Sequence, residues 1–154
     1  MFLADEQDLE VDGDDLVRLT RHVLDHQRVP AEMEVALLLV DEATIAGLNQ
    51  QHLGSSGPTD VLAFPIDEPG ESPPDTPSIL GDIVLCPSIA YAQAPRFDRS
   101  PHDELRLLTV HGLLHLLGMD HADAATEREM FTLTDTLLAS DLAARDLAAR
   151  KQGT

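Results

Sequence analysis

Residues 100–121 read SPHDELRLLTVHGLLHLLGMDH, and their apolar pattern predicts the central helix of the fold. Ser100 can cap this helix, and Pro101 suits its first turn. We expect the helix to run to about Leu117, because Gly118 is the residue type that most readily takes the left-handed turn after a helix. The stretch therefore predicts an apolar helix that stops before residue 121.

The rest of the chain alternates between short apolar runs that favour strands and longer segments that favour helices. Four strands are expected, within residues 1–12, 34–40, 61–64 and 79–86, the first of them at an edge. Five helices are expected, over about 14–28, 41–51, 87–94, 100–117 and from 123 onward. We therefore predict an α+β (mixed α/β) fold, in which a small, mixed sheet of about four strands packs with about five helices.

The length of 154 residues predicts a single domain over 1–154. The segment DEPGESPPDTP at 67–77 holds four prolines and four carboxylates, and it predicts a flexible surface loop. The tail at 141–154 begins with the repeat DLAARDLAAR and predicts a solvated helical or disordered extension. Cys86 is the one cysteine of the chain and is expected to be a small buried hydrophobe.

The net charge of −18 comes from 28 acidic and only 10 basic residues. It argues against non-specific binding to nucleic acid, so that no DNA is expected as a partner, and against binding to anionic membranes. RNA is not excluded, because affinity for RNA depends on a local patch. The first 15 residues contain no basic segment and no long apolar stretch, so we expect no signal peptide and a cytoplasmic protein.

His111 and His115 are four residues apart on the predicted helix, so both imidazoles project from one face and can share one metal ion. His121 can join them only if the helix stops first, which is what Gly118 predicts. Three imidazoles suit Zn²⁺ and leave a fourth position open for water. We therefore predict one zinc ion per chain, held by His111, His115 and His121 at the end of the central helix.

A second pair with the same spacing, His22 and His26, lies on the first predicted helix and has no third histidine after it. We interpret that pair as part of a solvated face, whereas the set at 111–121 has a third histidine, a glycine and apolar surroundings. An open zinc site predicts hydrolysis by zinc-bound water. No catalytic side chain is assigned, although Asp120 is a candidate base or partner of a ligand, and equally a solvated turn residue.

The spacing HxxxHxxGxxH is also that of the metzincin proteases, which carry a glutamate after the first histidine as general base. In this chain that position is Gly112. A zinc-dependent, metallopeptidase-like hydrolase stays open as an alternative, although the missing carboxylate disfavours it.

Three segments resemble, in order, the YbeY family of bacterial endoribonucleases and rRNA maturation factors. The family's HGxLHLxGxDH stands at 111–121, its PTDVLSFP stands as PTDVLAFP at 58–65, and its LGDI stands at 80–83. The resemblance covers about residues 48–140. It implies a zinc-dependent enzyme that cuts single-stranded RNA, acts in 16S rRNA 3′-end maturation and ribosome quality control, and works with the ribosome or ribosomal proteins. A non-catalytic ribosome-assembly factor with structural zinc stays open as well.

The resemblance also implies residues for the site. The three histidines carry over as zinc ligands. Thr59, Asp60 and Phe64 become candidates to line the cleft, because the family's second segment lies near the metal. For the apolar pair 61–62 we prefer a plain core strand. In one departure, many members carry an arginine implicated in RNA cleavage where this chain has Leu53.

Without that arginine, either another cation or a partner helps to neutralise the phosphate, or the nuclease activity is weak. Four arginines flank the histidine motif, at positions 96, 99, 106 and 128. Arg96, Arg99 and Arg106 could form a basic strip, or each could pair with neighbouring carboxylates. We favour delivery of RNA by a partner, because the arginine expected to help at position 53 is a leucine.

Overall fold

The computed structural model of the protein describes residues 1–70, 73, 76–119 and 123–152. These residues form four strands, which are β1 (Phe2–Asp5), β2 (Met33–Leu39), β3 (Val61–Pro65) and β4 (Ser78–Leu85). They also form five α-helices, which are α1 (Gly13–His26), α2 (Glu42–Leu53), α3 (Pro87–Gln93), α4 (Pro101–Leu116) and α5 (Ala124–Gln152). A short 3₁₀ helix, Ala94–Phe97, follows α3.

The four strands form one mixed sheet in the order β1-β2-β4-β3. β1, β2 and β4 run parallel, and β3 pairs antiparallel with β4. β1 lies at one edge, as expected, and β3 lies at the other. The predicted α+β fold, with a small mixed sheet and five helices, is confirmed within the described ranges.

The two faces of the sheet carry two apolar clusters. The larger cluster combines one face of β2 and β4 with α1, α4 and α5. The smaller cluster packs the opposite face against α2, where Ile45 meets Leu62 and Val84. On β4, the neighbours of Val84, Ile83 and Leu85, belong to the larger cluster instead. The alternation of side chains along each strand therefore separates the two clusters.

α4 is the central helix of the larger cluster. Its cap Ser100 accepts a hydrogen bond from the backbone N–H of Asp103 at 3.1 Å, and Pro101 occupies the first turn. Gly112 permits a close approach to the sheet, because a Cβ there would lie 2.9 Å from Cγ2 of Ile83 on β4. α4 therefore lies directly on the sheet and carries its histidines beside β3.

A buried ionic cluster joins α4 to α1 and α5. Arg106 of α4 donates from Nη1 to Oδ2 of Asp15 at 2.6 Å and from Nη2 to Oδ2 of Asp141 at 2.7 Å. Arg18 of α1 donates to both carboxylates, over distances from 2.5 to 3.0 Å. Nε2 of His102 lies 2.6 Å from Oδ2 of Asp15. These five residues, which we call the buried ionic cluster, connect helices that are far apart in the sequence.

The buried ionic cluster corrects two interpretations made from the sequence. Arg106 was a candidate for an RNA-binding strip, but it is only 3% exposed and pairs with carboxylates from distant helices. The segment from residue 141 was expected to be solvated. It does continue α5, but its first residue, Asp141, is completely buried. The second copy of the pentamer, 146–150, is exposed at every position.

The remaining predictions concern Cys86, the segment 67–77, the number of domains and the membrane. Cys86 is buried, as expected, and burial raises the pKa of its thiol. The proline-rich segment 67–77 lies partly outside the described residues, and the single domain over 1–154 stays a prediction. Within the part of the chain that the structure describes, each helix is too short or too polar to cross a membrane.

Candidate metal centre

One side of α4 faces β3 across a cavity of about 290 Å³. The helix contributes residues at the i, i+3, i+4 and i+7 spacing of a single helical face, namely Leu108, His111, Gly112 and His115. The strand side contributes Asp60, Val61 and Ala63. The two histidines that were predicted to share a metal ion therefore open into the same cavity.

Two of the three predicted zinc ligands can be placed. His111 and His115 are half-buried, and the Nε2 atom of His111 is fully buried. His121 and the candidate base Asp120 lie outside the described residues. Among residues 1–70, 73, 76–119 and 123–152, no group of three His, Cys, Asp or Glu side chains is placed to hold a metal ion. Two imidazoles on one helical face are donors that suit zinc, so this half of the site fits a zinc ion.

α4 ends where it must if His121 is to join His111 and His115 at one metal ion. Gly118 has a φ of 92°, in the left-handed region. Its N–H donates to the carbonyl of His115 at 3.0 Å, and the N–H of Met119 donates to the carbonyl of Leu114 at 3.0 Å. These two bonds form a Schellman motif, which satisfies the last carbonyls of the helix. The helix therefore ends before residue 121, as predicted from the glycine.

We expect Gly118→Val to destabilise the protein by about 1–2 kcal/mol, the cost of a left-handed conformation in a residue with a Cβ. The cost is conformational rather than steric, since a Cβ at Gly118 would have no neighbour within 4 Å. The displaced turn should also lower zinc affinity. Gly118→Asn is the matched control, because asparagine tolerates this conformation. Metal analysis and urea denaturation check both effects, and unchanged zinc content in a folded Gly118→Val protein would refute the role of the turn.

Hydrogen bonds hold the carboxylate of Asp60 beside the histidines. Nε2 of Gln93, at the end of α3, donates to Oδ2 of Asp60 at 2.9 Å, and Oγ1 of Thr59 donates to Oδ1 at 3.4 Å. The carbonyl of Asp60 also accepts a hydrogen bond from the N–H of Cys86 at 3.0 Å. Asp60 is therefore an oriented acceptor in the cavity. The contribution of Gln93 was not foreseen, because no sequence pattern joins it to residue 60.

The three residues that were predicted to line the cleft lie in different places. Asp60 lines the cavity, and Thr59 lies next to it. Phe64 belongs to the smaller cluster and packs against His52, with ring centroids 5.1 Å apart. Side chains alternate along a strand, so β3 presents Val61 toward the histidines and Phe64 to the opposite face. Val61, for which a core position was preferred, both packs in the larger cluster and lines the cavity.

Residues 2–141 match the family model described as Endoribonuclease YbeY. This chain belongs to the endoribonuclease YbeY family. The family implies an endoribonuclease, which confirms the predicted enzyme class of a hydrolase, and it implies RNA as the substrate. The resemblance read from three short segments therefore extends over most of the chain.

Individual relatives agree with the YbeY family match. A protein of Acidothermus cellulolyticus named endoribonuclease YbeY is 48% identical over an alignment of 155 positions, which covers 96% of this chain and 94% of that protein. A protein of the same name from Salinispora tropica is 50% identical over 146 residues, or 90% and 93% of the two chains. A solution structure of a Thermotoga maritima protein has a TM-score of 0.61 at 28% identity and covers 96% of this chain and 93% of its own.

The arginines near the YbeY motif differ in their surroundings. Arg99 donates to the buried carboxylate of Glu104 at 3.1 Å, so the alternative of pairing with a neighbouring carboxylate is confirmed for Arg99. Arg96 and Arg128 are exposed and form no ion pair with any residue that the structure describes. Leu53, at the position where the resemblance implies an arginine, is 60% exposed at the end of α2.

A side chain that the sequence did not indicate contacts one of the histidines. The ring of Phe131, on α5, packs against the imidazole of His111, with centroids 5.4 Å apart and an angle of 54° between the ring planes. Phe131 is 46% exposed, and it lies beside the buried stripe of α5 rather than within it. Helical periodicity shows which residues of α5 are buried. It does not show that Phe131, beside those residues, packs against a histidine of α4.

The other histidine pair of this YbeY-family chain is on α1. His26 is exposed, which agrees with the predicted solvated face. For His22 that interpretation is wrong, because the side chain is half-buried and its Nε2 atom lies 2.7 Å from Oγ of Ser140 on α5. His22 therefore packs against α5, whereas His26 lies on the surface.

Proposed function

We propose that this member of the YbeY family is a zinc-dependent endoribonuclease that cuts single-stranded RNA. One zinc ion per chain would be held by His111, His115 and His121. The proposal rests above all on one observation, that His111 and His115 open into the same cavity as the oriented carboxylate of Asp60. The turn at Gly118, which ends the helix before the third histidine in the sequence, supports the same ligand set.

The residues around the cavity would divide the chemistry between them. A zinc ion bound there would act as a Lewis acid toward the phosphate. Asp60, held by Gln93, can accept a hydrogen bond or a proton from a group that enters the cavity. Leu108 and Val61 give the cavity apolar walls, which would strengthen the electrostatic interactions beside them.

We further propose that the substrate is the small-subunit rRNA, that the cleavage matures the 3′ end of 16S rRNA, and that the protein serves ribosome quality control in the cytoplasm. The family-specific segments at 58–65 and 111–121 support this assignment. A net charge of −18 disfavours the binding of bare RNA, so the ribosome or a ribosomal protein would present the strand.

Purified protein is expected to carry about one zinc ion per chain, as three histidine ligands predict. Removal of the metal by a chelator should abolish cleavage of a labelled single-stranded oligoribonucleotide, and added zinc should restore it. Metal analysis beside the cleavage assay checks both statements, with an RNA duplex and casein as control substrates. Cleavage that persists after the zinc has been removed would refute zinc dependence.

The alternatives make different predictions in the same experiments. A peptidase would cleave casein. The glutamate base of the metzincins would stand at the position of Gly112, where a Cβ would lie only 2.9 Å from Cγ2 of Ile83. A non-catalytic assembly factor would need zinc only for its structure. It would therefore retain 16S processing when a ligand variant still folds. Normal 3′ ends in a strain whose sole copy carries a folded His115→Ala protein would favour that alternative.

A further inference from the structure

We infer that Phe131, which packs against His111, and Arg128, which precedes it by three residues on the surface of α5, form a subsite for the RNA strand. In this subsite Phe131 stacks on one base, and Arg128 contacts an adjacent phosphate. The inference rests on the proposed function, because it assigns a subsite for the same substrate.

Phe131 presents an open aromatic ring beside a predicted metal ligand. The chain contains four phenylalanines, one tyrosine and no tryptophan, so exposed rings are few. Phe131 packs against the imidazole of His111 at a centroid distance of 5.4 Å, yet 46% of its surface remains exposed. Nucleobases stack on such rings with little regard for sequence, because every base has a flat π-face. The ring is therefore placed to hold a base next to the cavity.

Arg128 supplies a positive charge next to this ring. It precedes Phe131 by three residues, and side chains with that spacing are neighbours on a helix. Arg128 is exposed and forms no ion pair with the described residues, so its guanidinium is available for a phosphate. Glu127 and Asp135, one turn before and after Phe131, are exposed carboxylates on the same side. The surface is therefore not a basic strip, and stacking should contribute more to binding than charge does.

Other aromatic and basic side chains fit this role less well. The guanidinium of Arg99 lies over the ring of Phe97, 5.2 Å from its centroid. Phe2 lies on β1, at the edge of the sheet opposite β3 and the cavity. Arg106 is buried in the ionic cluster. Within the described residues, Phe131 is the exposed ring that contacts a histidine of the cavity, and Arg128 is an exposed arginine three residues before it on the same helix.

The combination of Phe131 and Arg128 indicates which RNA substrates the subsite should prefer. One stacked base and one phosphate contact involve no hydrogen bonds to base edges, so the subsite should have little sequence preference. A base that is already stacked inside a duplex cannot be placed on Phe131 without being unpaired. The subsite should therefore favour single-stranded RNA over duplex RNA.

The test compares variants of Phe131 in the zinc-loaded protein. Phe131→Ala is expected to weaken binding of a single-stranded oligoribonucleotide by about 5- to 150-fold, which corresponds to the loss of one stacked base. KM should rise while kcat and zinc content stay nearly constant. Phe131→Tyr should restore binding, whereas Phe131→Leu, which keeps apolar packing against His111, should not. Initial rates give KM and kcat, and fluorescence anisotropy, read before cleavage proceeds, gives the affinity.

The contribution of Arg128 is tested by the salt dependence of binding. Arg128→Gln should reduce the slope of log affinity against log salt by about 0.7, the value for one contact with a single-stranded phosphate. Arg150→Gln is the matched control, since it lies on the same helix about 33 Å away at 1.5 Å per residue. Phe2→Ala is the matched control for the aromatic variants. Both controls should bind RNA as the parent does.

Each outcome separates the subsite from the proposed function. Unchanged binding in Phe131→Ala and Arg128→Gln, at full zinc content, would overturn the subsite. A loss that follows the loss of zinc and is rescued by Phe131→Leu would overturn it too, because Phe131 would then only position His111. If the parent protein binds RNA through Phe131 but does not cut it, the subsite stands and the proposed function fails.

Discussion

His111→Ala and His115→Ala are each expected to lose bound zinc and to reduce RNA cleavage by at least about 100-fold. Even a residue that only orients a metal ligand contributes about 10- to 100-fold, so a direct ligand should contribute no less. Both imidazoles face the cavity and are half-buried, so the fold should tolerate their removal. His121→Ala is expected to behave in the same way, on the basis of the sequence motif. Metal analysis, initial rates and thermal unfolding of the three variants check this expectation.

The chain itself provides a matched control for the histidine variants. His26, on α1, belongs to a pair with the same spacing of four residues, and its side chain is exposed. His26→Ala should retain zinc and cleavage. If all three ligand variants kept one zinc ion per chain, the metal would have to bind elsewhere.

Asp141→Asn is expected to lower the free energy of unfolding by about 3–5 kcal/mol, as is typical when one partner of a buried ion pair is removed. The carboxylate is completely buried, and it accepts hydrogen bonds from Arg106, which is 3% exposed, and from Arg18. An asparagine in its place leaves the guanidinium of Arg106 without a full countercharge in the interior. Urea denaturation at neutral pH measures the loss.

The repeat DLAARDLAAR supplies the control for Asp141 in an almost identical local sequence. Asp146 begins the second copy of the pentamer and is exposed on the same helix. Asp146→Asn should therefore change stability by no more than about 0.5 kcal/mol, the usual range for a surface position. Equal effects of the two substitutions would mean that the buried ionic cluster does not stabilise the fold.

The same cluster predicts how stability depends on pH. Burial alone would raise the pKa of Asp141, but hydrogen bonds from Arg18 and Arg106 outweigh it and hold that pKa below its usual range. The pKa of Asp15 is lowered in the same way, with His102 as a further hydrogen-bond donor. Because the unfolded value is about 3.9, the stabilisation is complete well above that pH and is lost as the pH falls toward the lowered pKa. The difference between the parent protein and Asp141→Asn should stay constant above about pH 5 and shrink below about pH 4.

Local chemistry made the helices of this protein predictable from the sequence. Ser100 was expected to cap α4, and its side chain accepts a hydrogen bond from the backbone N–H three residues later. Asp41 caps α2 in the same way. Gly118 was expected to end α4, and it does so in a left-handed conformation. Caps and terminal turns involve groups within one or two helical turns, so the order of residues largely specifies them. The spacing of His111 and His115 on one helical face is predictable for the same reason.

Some interpretations failed although the local structure was right. Arg106 was assigned to the correct helix but to the wrong environment, since its partners Asp15 and Asp141 are 91 and 35 residues away. Asp141 occupies the same stripe of α5 as the buried residues Met130 and Leu137, and that periodicity was a usable signal for its burial. Knowing that a charge is buried does not identify its partner, however.

By itself, the amino-acid sequence determined the helices, the four strands, the YbeY family and a histidine motif with the spacing for a metal, because each depends on neighbouring residues in the chain. The tertiary structure alone decided that Gln93 orients Asp60, that Phe64 faces away from the cavity, and that Phe131 packs against His111. These facts depend on which face of each element packs against which neighbour. Many distant side chains set that packing together, and no short stretch of sequence encodes it.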